Sequence, residues 1–251
     1  MADARADRLG VRFWFDSLGR VATPARARIS FHRSETWGLR NVSFDIGPGE
    51  SVALLGATGS GKTTLLRALA GVVAADEGSI EVRGRRASML SVDAGLIPSL
   101  TGRENGLLLS VLAGASRSQA KAGLEDMKER SGLGDAFDRP ASTYSQGMLA
   151  RLAFTAATEC DPEVILLDEV HEAFDHSFRE RLRTTSEAVI SAGGILVAAG
   201  HDHDILARLC RRAFLVEAGR IAADGPFEEV RERYLSSGAA EAARPAEEIA
   251  S

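Results

Sequence analysis

Short apolar runs alternate along this chain with stretches in which apolar residues recur every three or four positions. Val11–Phe15 and Arg28–Phe31 read as strands by their β-branched and aromatic content, and Val42–Ile46 alternates with period two before the turn residues Pro48-Gly49. Ser51–Leu55 is a short apolar run that enters a glycine-rich stretch, after which Thr63–Val73 carries apolar residues at helical spacing. Ile80–Val82 predicts another strand. Ser116 and Gln119 have the Ser-x-x-Gln form of a capping box and predict a helix towards Arg130, ended by Gly132 and Gly134. Gly147–Thr158 and Phe178–Ile190 are predicted helices, and Val164–Leu167 and Gly194–Ala199 are predicted fully buried strands. Phe214–Val216 and Gly219–Ile221 suggest a hairpin, and Pro226 suits the first turn of a closing helix, Phe227–Leu235.

Apolar strands alternating with helices imply an α/β fold with a mainly parallel sheet covered on both faces. The strand-rich start adds an amino-terminal antiparallel β subdomain, and residues from about 90 to 160 a helical subdomain. The expected organisation is a flexible segment at 1–10, one domain at 11–236, and a disordered tail at 237–251, where the Ala/Glu-rich sequence has no core-forming pattern. No tandem repeat at a period of 20 to 50 residues points to a solenoid or propeller.

Composition narrows the classes. The 251 residues, 45% of them hydrophobic, suffice for a sizeable core. Thirty Lys and Arg against 35 Asp and Glu leave a net charge of -5, which offers no footprint for nucleic acid. The longest apolar runs fall far short of the roughly 20 residues that span a bilayer. The charged start, Met1–Arg8, lacks the apolar centre of a secretory signal, and Cys160 and Cys210 lack metal-ligand or CxxC spacing, so a reducing cytosol is expected.

The chemistry begins at Gly56-Ala57-Thr58-Gly59-Ser60-Gly61-Lys62-Thr63, followed by Thr64, which fits G-x-x-x-x-G-K-[ST] between a predicted strand and a predicted helix. Chance gives such a match in on the order of 1% of chains this long. Glycines there let backbone amides converge on phosphate oxygens, and the helix start adds the positive end of its dipole. Lys62 would reach the β- and γ-phosphates of ATP, and the Thr63 hydroxyl would bind the bridging Mg2+. This is the P-loop NTPase pattern. Val164–Leu167 followed by Asp168-Glu169 supplies the acidic partner: Asp168 for the metal through water, Glu169 to polarise the attacking water. A strand ending in Asp-Glu is by itself more often a turn or a helix cap; the glycine-rich loop is what gives it meaning.

With these motifs placed, the chain from about Val11 to Leu235 resembles the ATP-binding subunit of an ABC transporter, and the resemblance implies the ABC ATPase fold. Tyr144-Ser145-Gln146-Gly147-Met148 occupies the place of the signature usually written L-S-G-G-Q. The resemblance implies a homodimer in which Ser145, Gln146, Gly147 and Met148 contact the γ-phosphate bound to the other subunit. It also implies that Asp175, in Glu172-Ala173-Phe174-Asp175, helps align the two sites; Asp175 is also suited to cap a helix before Phe178. His201 matches the switch histidine, with His203 its neighbouring competitor. The adenine is expected to stack on an aromatic of the first strands, where Phe13, Trp14 and Phe15 cluster. Phe13 is the choice, with a plain core role as the alternative.

Within the family, Thr143–Phe154 resembles the T-Y-S-S-G-M-x-x-R-L-A-F of the branch that exports surface polysaccharides such as O-antigen and teichoic acid. Leu100–Asn105 resembles its L-T-G-R-E-N and Leu167–Val170 its L-D-E-V, three matches taken as independent. This implies a subunit at the cytoplasmic side of the inner membrane, working through an integral membrane permease. The alternatives are a drug, lipid or small-solute transporter and a non-transport ATP-binding regulator. The chain departs from the family at Ser91–Gly95, where a glutamine usually stands. It also departs at Gln146, in place of a small residue, and at Thr58, in place of asparagine. The short tail is not expected to form the extra sugar-binding domain that some relatives carry.

Overall fold

The computed structural model describes residues 1–15, 34–91 and 95–237. They fall into two compact units between which the chain passes several times. The expected strand at Arg28–Phe31, the Val92–Ala94 part of the unusual loop and the tail from residue 238 lie outside the described residues.

The first unit comprises Met1–Asp3, Gly47–Ala53 and Arg83–Arg211. Strands β5 (Arg86–Met89), β6 (Val164–Asp168) and β7 (Ile195–Ala199) run parallel in that order. Every position of β6 and β7 is buried, as the unbroken apolar runs require of strands covered on both faces. The Leu196 amide donates to the carbonyl of Glu50, just ahead of β3 (Ser51–Leu55). Helix α5 (Gln146–Ala157) lies on β5, α6 (His176–Ser191) lies on β7, and α7 (His203–Leu209) packs against α6. Phe154, Phe174 and Phe178 close this layer with ring centroids 4.7 to 5.8 Å apart.

The helical part of this unit holds α2 (Gly102–Leu112), α3 (Arg117–Ala122) and α4 (Leu124–Ser131) before α5. Its core is Leu124, Met127, Phe137, Tyr144 and Leu152. Ser116 and Gln119 do form a reciprocal capping box, but the single helix expected towards Arg130 is two helices that meet at Gly123. Gly123 itself keeps a right-handed conformation at the junction, with φ -81° and ψ -5°. The motif Leu100–Asn105 opens this subdomain. Thr101 caps α2 in a box with Glu104, and fully buried Asn105 exchanges hydrogen bonds with Ile97 (2.7 and 3.0 Å) while donating to the Leu100 and Thr101 carbonyls.

The second unit comprises Ala4–Ile46, Leu54–Val82 and the chain from Arg212. Here β1 (Asp3–Phe15) lies between β2 (Ser34–Ile46) and β4 (Glu77–Arg83), and β1 pairs antiparallel with β2. Residues 1–10 are therefore not a flexible segment: Ala4 pairs with Ile46, and Ala2, Ala4, Ala6 and Leu9 are buried. The Ala/Asp/Arg alternation of the first residues hid a strand, because its buried side chains are small. β8 (Arg212–Glu217) and β9 (Arg220–Pro226) form the expected hairpin, and α8 (Phe227–Ser236) packs on it, with Pro226 as the N-cap and not inside the first turn. Phe44 and Phe214 meet at 5.6 Å. Helix α1 (Lys62–Ala70) stops three residues before the predicted Val73, because Gly71 adopts the left-handed conformation of a helix C-cap.

Candidate functional site

In the second unit the glycine-rich loop joins β3 to α1 and is braced from two sides. A Cβ on Gly56 would lie 2.2 Å from the Val216 carbonyl oxygen, and one on Gly61, at φ 116°, 2.7 Å from that of Gly38. Only glycine fits either place. The Gly219 amide donates to the Ser60 carbonyl (2.8 Å), and the Arg40 amide donates to Gly219 (2.8 Å), so the hairpin turn and β2 hold the loop between them.

The Lys62 ammonium folds back over the loop and donates to the Gly56 and Ala57 carbonyls at 2.6 and 3.0 Å. No side-chain cap sits at the start of α1, where the amides of Thr63 and Thr64 have no partner within the helix. The Ser60 hydroxyl is buried and has no hydrogen-bond partner among the described residues. Uncapped amides at a helix start, a lysine ammonium and an orphaned hydroxyl together make a site suited to phosphate oxygens.

Phe13, from β1, lies in the same unit over Gly38, where a Cβ would come within 2.6 Å of its ring and 3.0 Å of the Thr64 methyl. It is half-buried. Trp14, by contrast, is covered at 5.7 Å by the Arg12 guanidinium, which also lies 5.1 Å from Trp37. The side chain of Phe15 lies outside the described residues.

In the first unit β6 ends at Asp168, buried, and the next residue, Glu169, takes a left-handed φ of 59°. That turn is held by the Glu169 amide on the Ala199 carbonyl (2.8 Å), at the end of β7. It carries the Glu169 carboxylate out beside His201, whose Nε2 stands 3.0 Å from Oε1. His203, the neighbouring competitor, is the first residue of α7, behind the cap made by Asp202.

Glu172 was not foreseen as a site residue in its own right. Its carboxylate accepts the backbone amides of His201 and Asp202, the latter at 3.2 Å, and so anchors the loop that presents His201. No local pattern marks a loop glutamate that reaches 29 residues along the chain. Arg151, within the Thr143–Phe154 motif, forms an ion pair with Asp175.

Asp175 plays the expected capping role, accepting the Phe178 amide at 2.9 Å. That bond, with help from the Ser177 hydroxyl and Arg151, holds its carboxyl below the usual range. The signature residues gather beside it. Ser145 caps α5 by accepting the Met148 amide (3.3 Å), Gln146 is exposed, and a Cβ on Gly147 would come 3.1 Å from the Ala173 carbonyl.

The sequence profile of the ABC transporter family matches residues 39–172, just over half of the chain. The chain belongs to the ABC transporter family. Its curated relatives in that family include the O-antigen export system ATP-binding protein RfbE of Yersinia enterocolitica, 38% identical over 82% of this chain and 87% of the relative. An RfbB protein of Klebsiella pneumoniae, also named as an O-antigen export ATP-binding protein, is 36% identical over 85% and 87%. The teichoic acids export ATP-binding protein TagH of Lactococcus lactis is 32% identical over 82% of this chain and 44% of its own.

The fold is likewise that of an ABC cassette. The dimeric, post-hydrolysis form of the ATP-binding cassette MJ0796, bound to ADP and Pi, superposes with a TM-score of 0.73 at 19% identity, covering 89% of this chain and 98% of the other. An ATP-binding subunit of an ABC transporter gives 0.72 at 20% identity, covering 94% and 95%. The P-loop NTPase reading of the fold, with its parallel strands, antiparallel amino-terminal sheet and helical part, therefore stands.

Proposed function

We propose that this ABC protein is the ATP-hydrolysing subunit of an exporter that moves a surface polysaccharide or lipid-linked glycan across the inner membrane through a separate membrane subunit. The observation that carries the hydrolytic part is the Glu169–His201 contact at 3.0 Å, directly after the buried Asp168. The names of the O-antigen and teichoic-acid relatives support the cargo. No helix among the described residues is long and apolar enough to cross a membrane, so the proposal includes a membrane partner and a peripheral place on its cytoplasmic side.

The glycine-rich loop from Gly56 to Thr63, with Thr64 behind it, receives the phosphates on its amides, and Lys62 balances the charge of the β- and γ-groups. Phe13 stacks on the base. Thr63 and Asp168 offer the hard oxygen ligands that suit Mg2+, which when bound draws charge from the phosphates. Glu169 takes the proton of the attacking water, and His201 holds that carboxylate and the γ-phosphate in place. Ser145, Gln146, Gly147 and Met148 serve the nucleotide of a second copy, and Asp175 aligns the copies in a homodimer.

The test is MgATP hydrolysis by purified Glu169→Gln, with deletion of the gene followed by analysis of surface glycans. Hydrolysis lost by roughly a hundredfold or more with ATP binding kept, and a missing surface polymer, are the expected results. Wild-type hydrolysis in the variant overturns the role of Glu169; an intact surface overturns the cargo.

A further inference from the structure

We infer that Glu172 is a positioning residue for hydrolysis, which sets the height and direction of the His201 side chain from the segment between Asp168 and Asp175. The inference rests on the reading of Glu169 and His201 as the hydrolytic pair.

Three contacts close a ring. The His201 imidazole meets the Glu169 carboxylate at 3.0 Å, the Glu172 carboxylate accepts the His201 amide, and the Glu172 amide donates back to the Glu169 carbonyl at 3.0 Å. Each residue of the ring is thereby fixed by the other two. The second amide that Glu172 accepts, from Asp202, matters as much. Asp202 caps α7 through the amides of Asp204 and Ile205, at 3.1 and 3.0 Å, so Glu172 grips the loop at the residue that ties it to the helix.

Without that carboxylate, His201 and Asp202 lose the acceptor for their amides, and the loop between β7 and α7 is left with the His201–Glu169 contact to hold it there. His201 itself is exposed, so packing does not restrain it. A carboxylate with two amides on one oxygen is a strong restraint, because charge-assisted bonds to backbone N–H groups are about twice as strong as neutral ones.

The Glu172 segment also faces the signature. Gly147 sits against the Ala173 carbonyl, and Arg151 pairs with Asp175. A shift of α5 relative to this segment would therefore be passed through Glu172 to His201. Glu172 touches neither the reacting water nor phosphate in this scheme; it acts through the histidine.

The experiment compares steady-state ATP hydrolysis and nucleotide binding of full-length wild type, Glu172→Ala, Glu172→Gln, His201→Ala and the Glu172→Ala/His201→Ala double variant. Glu172→Ala is expected to lower kcat by roughly ten- to a hundredfold, the scale of an ångström-sized misplacement, with KM and nucleotide affinity within about twofold of wild type. Glu172→Gln, whose Oε1 still accepts both amides, is expected to recover most of that loss. In the His201→Ala background the Glu172 substitution is expected to add nothing.

An unchanged kcat in Glu172→Ala overturns the inference, and so does a further tenfold loss in the double variant. A failure of the hydrolytic reading shows separately, as full activity in His201→Ala itself. If Glu172→Ala proves too unstable to assay, Glu172→Gln carries the decision through its pH profile of kcat: a profile altered from wild type but not further altered by adding His201→Ala supports the inference, and a wild-type profile overturns it.

Discussion

Gly102 and Tyr144 are in such close contact that a Cβ on the glycine would stand 2.2 Å from the tyrosine hydroxyl. The hydroxyl is there to donate to the Ala136 carbonyl at 2.6 Å. Gly102 belongs to the Leu100–Asn105 motif and Tyr144 to the signature segment, so these two matches to the polysaccharide branch are not independent. They are two sides of one contact, reinforced by the Gly102 amide on Arg139 and the Ala141 amide on Leu100.

Gly102→Ala is accordingly expected to destabilise the protein by about 1–3 kcal/mol, the range for forcing a methyl group into a packed site. Tyr144→Phe removes the clashing oxygen but also its hydrogen bond. The double variant should lose less than the sum of the two single losses, because the closest clash is gone and only the 2.9 Å approach to the Phe137 carbonyl remains. Urea or thermal unfolding of the three variants checks this, and strict additivity would show that the contact is not the reason for the glycine.

The ion cluster of the helical part gives a pH prediction. Asp138 accepts hydrogen bonds from Arg103 (2.6 Å) and Lys128 (2.9 Å), which hold its pKa down to about 2. Its folded pKa lies below the unfolded value of about 4, so its stabilising effect is present above pH 4 and is lost as pH falls towards 2. Asp138 is exposed and its two partners are only half-buried, and the effect is therefore small. Asp138→Asn should lower Tm at pH 7 by about a degree or two, and the gap from wild type should narrow at pH 3 and in high salt. Scanning calorimetry at the two pH values measures it; an equal gap at both would mean that the charge is not what Asp138 contributes.

Much of this was legible because the residues that carry it are forced by backbone geometry. Gly56 and Gly61 stand where no side chain fits, and the apolar runs of β6 and β7 leave only one kind of strand possible. His201 stands out in the sequence because it follows such a strand at a short distance, and the fold sets it beside Glu169. What stayed hidden depends on contacts distant in sequence. The start of β1 carries alternating alanines, too small to register as a hydrophobic pattern, and the alanines at 2, 4 and 6 are buried all the same. β5, Arg-Ala-Ser-Met, is a strand because Val164–Leu167 pairs with it, not by its own propensity. Glu172 reads as an ordinary loop carboxylate until the fold brings two amides to it.

The loop's own side chains separate a binding role from a structural one. Lys62 donates to two carbonyls of the loop as well as standing where phosphate would enter, so Lys62→Ala is expected to cost some stability together with roughly ten- to a hundredfold in ATP affinity. The Ser60 hydroxyl has no partner among the described residues to lose. Ser60→Ala should therefore leave Tm unchanged or slightly raised while weakening ATP binding by several-fold. Calorimetric titration with ATP beside thermal unfolding tests both. Wild-type affinity in Lys62→Ala would remove the phosphate role from this loop.

The stacking role proposed for Phe13 can be tested from both sides of its ring. Stacking on an aromatic contributes about 1–3 kcal/mol per base, so Phe13→Ala should raise the Kd for ATP by roughly five- to a hundredfold, while Phe13→Tyr keeps it near wild type. Gly38→Ala puts a methyl group 2.6 Å from the ring and 3.0 Å from Thr64, so the ring must move although its chemistry is untouched. It should therefore weaken ATP binding too, and by less than the loss of the ring. Trp14→Ala is the control, since Trp14 is engaged by Arg12 and should leave nucleotide affinity in place while lowering stability. If Trp14→Ala weakens ATP binding and Phe13→Ala does not, the base rests on the tryptophan, and the covering of Trp14 by Arg12 gives way when nucleotide arrives.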